Sequence, residues 1–130
     1  MIVVDASAVL EMLLPAPAAA AVETRMFGSG ETAHAPHLID IEVAQVLRRF
    51  LRRGDINPER GRVALQYLAD LPLVRYPHER LLPRVWELRN NLTAYDAVYV
   101  ALAEVLDAPL LTRDRRLAAA PGIRARIELV

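Results

Sequence analysis

Short apolar runs rich in β-branched residues recur along this chain, and a stretch with helical spacing follows each of them. Ile2-Val3-Val4 ends at Asp5, and Ala6 to Leu14 follows at once as a helix that Asp5 is placed to cap. The same reading predicts strands at Thr32–Ala35, Leu73–Tyr76, Pro109–Thr112 and Ile127–Val130. Between them it predicts helices from Pro17 to about Met26, Leu38 to Arg53, Pro58 to about Leu71, Glu79 to Arg89, Tyr95 to Leu106 and Arg115 to Ala119. Leu38–Arg53 is the clearest, with Ile39, Val43, Val46, Leu47 and Phe50 on one side. In the Pro58 helix the apolar set is Val63, Leu65, Leu68 and Leu71. Strands alternating with helices predict an α/β fold: a mostly parallel central sheet covered by helices on both faces.

The chain has 130 residues, enough for a single domain spanning 1–130. With 54% hydrophobic residues it is not a disordered chain. It has no cysteine, which excludes disulfides, a thiolate nucleophile, Cys-ligated zinc and iron–sulfur clusters. No apolar run is long enough to span a bilayer, and Asp5 and Glu11 interrupt the N-terminal segment where a signal peptide is apolar, so the expected location is the cytoplasm. Every cationic side chain apart from the histidines is arginine; without lysine there is no P-loop and no Schiff base. The formal net charge is zero, which argues against bulk electrostatic binding of nucleic acid. The charge is nonetheless uneven, with arginine surpluses in residues 48–62 and 113–130.

Ligands in open α/β sheets bind beyond the carboxyl ends of the strands. Asp5 follows the first strand directly, and Asp114 follows Leu110-Leu111-Thr112. Asp96 lies in the first turn of a helix, and Glu42 lies in the long amphipathic helix. Four carboxylates from four segments can therefore meet at one rim. Such a cluster repels itself unless a hard divalent cation, Mg²⁺ or Mn²⁺, sits among the oxygens. The chemistry that follows is metal-assisted phosphodiester hydrolysis. Each acid also has a structural role open to it: Asp5, Asp96 and Asp114 as helix caps, and Glu42 as a solvated helix residue. Asp40, two residues from Glu42, points elsewhere and serves the helix N-terminus.

The segments IVVDASAVL, PHLIDIEVAQVLRR, LTAYDAVYVALAEVL and LLTRDRRL resemble the PIN-domain family in order and spacing, over essentially the whole chain. The likeness is to its small VapC-type toxins of bacterial toxin–antitoxin pairs. It implies a PIN-like three-layer α/β/α sandwich and an endoribonuclease that cuts RNA without a covalent intermediate. By position it implies that Asp5, Asp96 and Asp114 ligate Mg²⁺ or Mn²⁺, with Glu42 as a further ligand or as base for the attacking water. Ser7 and Thr112 would be the hydroxyls that orient those acids. A homodimer and a cognate VapB-type antitoxin are the implied partners.

On the helix that carries Glu42, Arg49 and Arg53 fall on nearly the same stripe as the acid, which reaches roughly 16 Å to Arg53. The expectation is that they hold RNA backbone. Arg113, Arg115 and Arg116 flank Asp114 and form a second candidate patch. His34, His37 and His78 are too few and too scattered for zinc. Trp86, Tyr95 and Tyr99 are read as packing residues first and base-stacking residues second. Two rival readings stay open: a non-catalytic RNA- or protein-binding module on the same scaffold, and a phosphoryl-transfer domain. The second asks for a paired acid next to Asp5 or for a catalytic lysine, and Ala6, Ser7 and the lysine-free composition offer neither.

Overall fold

The computed structural model describes residues 1–130. Five strands, β1 (Ile2–Val4), β2 (Ala33–Pro36), β3 (Leu73–Tyr76), β4 (Leu110–Thr112) and β5 (Ile127–Leu129), form one sheet in the order β3-β2-β1-β4-β5. Every neighbouring pair is parallel. Seven α-helices accompany the sheet: α1 (Ala6–Leu13), α2 (Ala19–Phe27), α3 (Leu38–Arg52), α4 (Pro58–Asp70), α5 (Leu82–Glu87), α6 (Ala94–Val105) and α7 (Arg115–Ala119). The expected α/β architecture is therefore present, with the sheet parallel throughout. β1 and β4 are buried along their whole length, as strands covered on both faces must be.

One contiguous core runs from β1 through α1, α3 and α6. From Ala97 to Ala103 every residue of α6 is buried, which no surface helix allows. α3 has the opposite character, fully burying only Ile39, Val43 and Leu47 along one stripe, with its other residues half-buried or exposed.

Several boundaries and faces differ from the sequence reading. Pro17 lies in a turn two residues before α2, and Ala18 occupies the cap position. β2 runs through Pro36, because proline fits a strand end whose N–H is not needed. The expected helix over Glu79–Arg89 is a 3₁₀ turn, Glu79–Leu81, followed by the short α5, with Pro83 in its first turn. On α4 the buried side chains are Ala64 and Leu68, continued by Leu71, while Val63 and Leu65 face solvent. Ala64 is too weakly apolar to mark that face in a hydropathy pattern, although Ala64, Leu68 and Leu71 keep helical spacing.

Side chains from afar fix the start of α3. The His78 ring Nε2 accepts a hydrogen bond from the Leu38 backbone N–H at 2.9 Å, satisfying a donor that the helix itself cannot. Asp40 in the first turn receives Arg75 from β3 through both of its oxygens at 2.9–3.1 Å, a partner that the sequence did not single out. His34 is buried, with one ring nitrogen 2.8 Å from Thr32 Oγ1 and the other 2.7 Å from the Tyr76 hydroxyl.

Candidate active site

The carboxyl ends of β1 and β4 lie side by side, because Val4 pairs with Leu111. Asp5 leaves β1 there and Asp114 follows β4 after two residues. A cavity of about 640 Å³ opens at this rim, and Asp5, Glu42, Asp96 and Asp114 all line it, together with Ser7, Arg49, Tyr99, Arg113 and Arg116. Four acids from distant segments thus share one space.

Asp5 is the most firmly held. It caps α1 by accepting from Ala8 N–H at 3.0 Å, and it receives Ser7 Oγ at 2.6 Å on Oδ1 and Thr112 Oγ1 on Oδ2. Those hydroxyls are held in turn by backbone donors: Arg113 N–H to Ser7 Oγ at 2.9 Å, and Asp114 N–H to Thr112 Oγ1 at 3.0 Å. Ser7 and Thr112 therefore orient Asp5 and lock the end of β1 to the end of β4. Burial still raises the Asp5 carboxyl above its ordinary range; the three hydrogen bonds oppose the rise and the charge of Asp96 adds to it.

Asp114 caps α7 by accepting from Arg116 N–H at 2.9 Å, and the Arg116 guanidinium approaches at 3.2–3.3 Å. These hydrogen bonds hold it below the ordinary carboxylate range. Asp96 is not the cap of α6: Thr93 caps that helix, accepting from Asp96 N–H at 3.2 Å. The Asp96 carboxyl is thus free for the cavity, and burial, then the charge of Asp114, raises it.

Glu42 is pushed up to about 7, first by burial and then by the charges of Asp5 and Asp96. Its Oε1 is buried with no hydrogen-bond partner. Tyr99, one turn beyond Asp96 on α6, is 1% exposed, and its hydroxyl lies against Glu42 without a well-formed hydrogen bond to anything. Burial and the nearby carboxylates raise the phenol far above its ordinary range, so it stays protonated as a donor. Sequence reading placed Tyr99 as packing first, and it is indeed buried; its position beside the acids was legible only as helical spacing from Asp96. Trp86 and Tyr95 are exposed and line no part of this cavity.

No three carboxylate or histidine side chains stand close enough together to coordinate one ion as they are. The donor set itself, four carboxylates with a buried unpartnered oxygen, suits a hard divalent cation.

The arginines divide. Arg49, Arg113 and Arg116 line the cavity; Arg53 and Arg115 do not. Arg53 pairs with Asp55 at 3.2 Å and lays its guanidinium 5.0 Å over the Phe50 ring, so the stripe expected from helical spacing breaks at the helix end. Arg113 pairs at 3.0 Å with Glu11, another cavity residue, which the sequence reading used only as a charge in the N-terminal segment. Glu11 lies one turn after Ser7 on α1, which was the available signal.

The family model described as PIN domain matches residues 2–123. Ribonuclease VapC1 of Mycobacterium tuberculosis is 49% identical over 129 residues, covering 98% of this chain and 96% of that protein. Ribonuclease VapC12 of the same organism is 45% identical over 130 residues, covering 100% and 99%. The crystal structure of VapBC2 from Rickettsia felis bound to a DNA fragment from their promoter superposes with a TM-score of 0.74 at 13% identity, covering 99% of this chain and 98% of that one, a likeness of fold.

Proposed function

The chain belongs to the PIN-domain family, and from that premise we propose that it is the endoribonuclease toxin of a toxin–antitoxin pair, hydrolysing RNA phosphodiester bonds at the Asp5–Glu42–Asp96–Asp114 cavity. The observation that carries the reading is that all four acids line one cavity, with Glu42 Oε1 buried and unpaired among them. Relatives named ribonucleases at 45–49% identity support the activity.

In this reading Asp5, Asp96 and Asp114, with Glu42, would hold Mg²⁺ or Mn²⁺. The bound ion would supply Lewis acidity for the phosphoryl oxygens and a lowered pKa for water. Asp5 is presented by Ser7, Thr112 and the Ala8 N–H, so its oxygens need little reorganisation. Glu42 lines the cavity beside Asp5 and Asp96, where it would serve as a further ligand or take a proton from the attacking water. Arg49, Arg113 and Arg116 would hold the flanking phosphates, a positioning role without base recognition. A VapB-type antitoxin is the proposed partner. The exposed apolar side chains Val63, Leu65 and Tyr67 of α4 favour a homodimer as well.

The test is cleavage of end-labelled total RNA by protein freed of antitoxin, in Mg²⁺, in Mn²⁺ and in EDTA. Discrete fragments that vanish in EDTA and in the Asp5→Ala/Asp96→Ala variant are expected. Intact RNA in every condition, together with unimpaired RNA binding, would replace this reading with the non-catalytic module.

A further inference from the structure

A donor without an acceptor faces an acceptor without a donor at the wall of the cavity. The Tyr99 hydroxyl and Glu42 Oε1 are both buried and hydrogen-bond to nothing. They come from different helices, α6 and α3, and both residues line the cavity. Tyr99 is the largest of the fully buried side chains, in a stretch of α6 where every residue is buried. Close packing fixes the ring, and the ring fixes the hydroxyl oxygen. The charged groups that act on that hydroxyl are all carboxylates: Glu42 first, then Asp5, then Asp96. Asp5 is already engaged by Ser7, Ala8 and Thr112. A ring that served packing alone would do better as phenylalanine, because burying an unbonded hydroxyl is destabilising.

We propose that Tyr99 is a positioning residue for Glu42: when a divalent cation occupies the cluster, the hydroxyl donates to Oε1 and leaves Oε2 for the cavity. The proposal rests on the cation reading of the four carboxylates. Donors already orient two of the acids, Asp5 through its hydroxyls and Asp114 through Arg116. Glu42 has one more torsion to fix than an aspartate and no donor of its own. A buried phenol on a rigid helix supplies that donor without reorganisation. The proton stays on the phenol throughout. The hydroxyl therefore adds nothing to the metal-free protein and strengthens the loaded one.

Two measurements on the full-length protein test this. The first is NMR with tyrosine carbon-13 labelled at Cζ, a carbon that reports hydrogen bonding of the phenol. The chain has four tyrosines, and Tyr99→Phe assigns the signal by its loss. Mg²⁺ should move the Tyr99 signal downfield, as donation to a carboxylate requires, and should not do so in Glu42→Ala. The second is Mn²⁺ affinity by calorimetry. Tyr99→Phe should bind about fivefold more weakly or worse, with its melting temperature in the absence of divalent cation unchanged or higher. Tyr95→Phe, on the same helix but exposed, should change neither. Equal Mn²⁺ affinity of Tyr99→Phe and the parent would overturn the proposal, and so would a Tyr99 signal that moves as far in Glu42→Ala as in the parent. A Tyr99→Phe protein that melts lower without cation would make the hydroxyl a fold group and overturn it too. A parent that binds neither ion sinks the cation reading itself, whereas a parent that binds them with an unmoved Tyr99 signal sinks the positioning role alone.

Discussion

Helix α6 carries an acid near each end, and the two are treated in opposite ways. At its C-terminal end Glu104 is 8% exposed and fully paired: Arg84 meets it at 2.7 and 3.1 Å, and Arg124 donates its backbone N–H at 2.8 Å. Those hydrogen bonds and charges outweigh burial and hold the carboxyl below its ordinary range. At the N-terminal end Asp96 faces Asp5, Glu42 and Asp114 across a cavity, and burial together with like charge raises it. A carboxylate that serves the fold has its countercharge built in. The carboxylates at the other end lack theirs, apart from Asp114, and a cluster left in that state costs stability that only a ligand can return.

Four substitutions press on this contrast. The largest effect is expected from Asp5→Asn, which preserves the α1 cap but removes a charge from the cluster. RNA cleavage should fall by about a thousandfold or more while the melting temperature changes little, relief of like-charge repulsion offsetting the lost acceptor for the Thr112 hydroxyl. A comparable loss of stability would mean that Asp5 is a fold residue like Glu104. Glu104→Gln should do the reverse, destabilising by about 3 kcal/mol in denaturant titration because it strands Arg84, with the specific activity of the folded fraction unchanged. Glu42 supplies the pH test. Its folded value, about 7, lies above its ordinary 4.5, so the folded state binds the extra proton between them. Without divalent cation the protein should therefore lose stability as pH rises from 4.5 through 7. Glu42→Gln should flatten that slope, leaving the part due to Asp5 and Asp96, and should exceed the parent's melting temperature above the window. The smallest effect is expected from Tyr99→Phe, which deletes a buried hydroxyl that has no partner. Stability should stay level or rise by up to about 1 kcal/mol. A loss of 2 kcal/mol or more would show that the hydroxyl is bonded in solution.

The sequence exposed one end of this contrast far better than the other. Asp5 directly follows β1 and Asp114 stands two residues beyond the end of β4, so strand ends placed both at the rim, and the family resemblance chose between ligand and helix cap. Ser7 and Thr112 were implied only by the family resemblance, and each stands two residues from an acid. Glu42, Asp96 and Tyr99 sit on helices, and spacing tells which residues share a face but not which face turns inward. The Arg49–Arg53 stripe divides: 3.6-residue geometry aligns both with Glu42, and Arg49 lines the cavity, while Arg53 pairs with Asp55 beyond the helix end. Val63 and Leu65 misled because hydropathy marks large apolar residues, while close packing of α4 uses Ala64. The Glu104–Arg84–Arg124 network was invisible, since Glu104 lies twenty residues from each partner and meets Arg84 through the packing of α5 on α6 and Arg124 through the segment between α7 and β5.

Calorimetric titration of the antitoxin-free protein with Mn²⁺ tests the central claim most directly, run on the parent, on Asp5→Asn/Asp96→Asn and on Glu104→Gln. The account predicts saturable binding by the parent and by Glu104→Gln, with no binding by the double variant. Undiminished binding by the double variant would contradict it, and so would a parent that binds no Mn²⁺ at all.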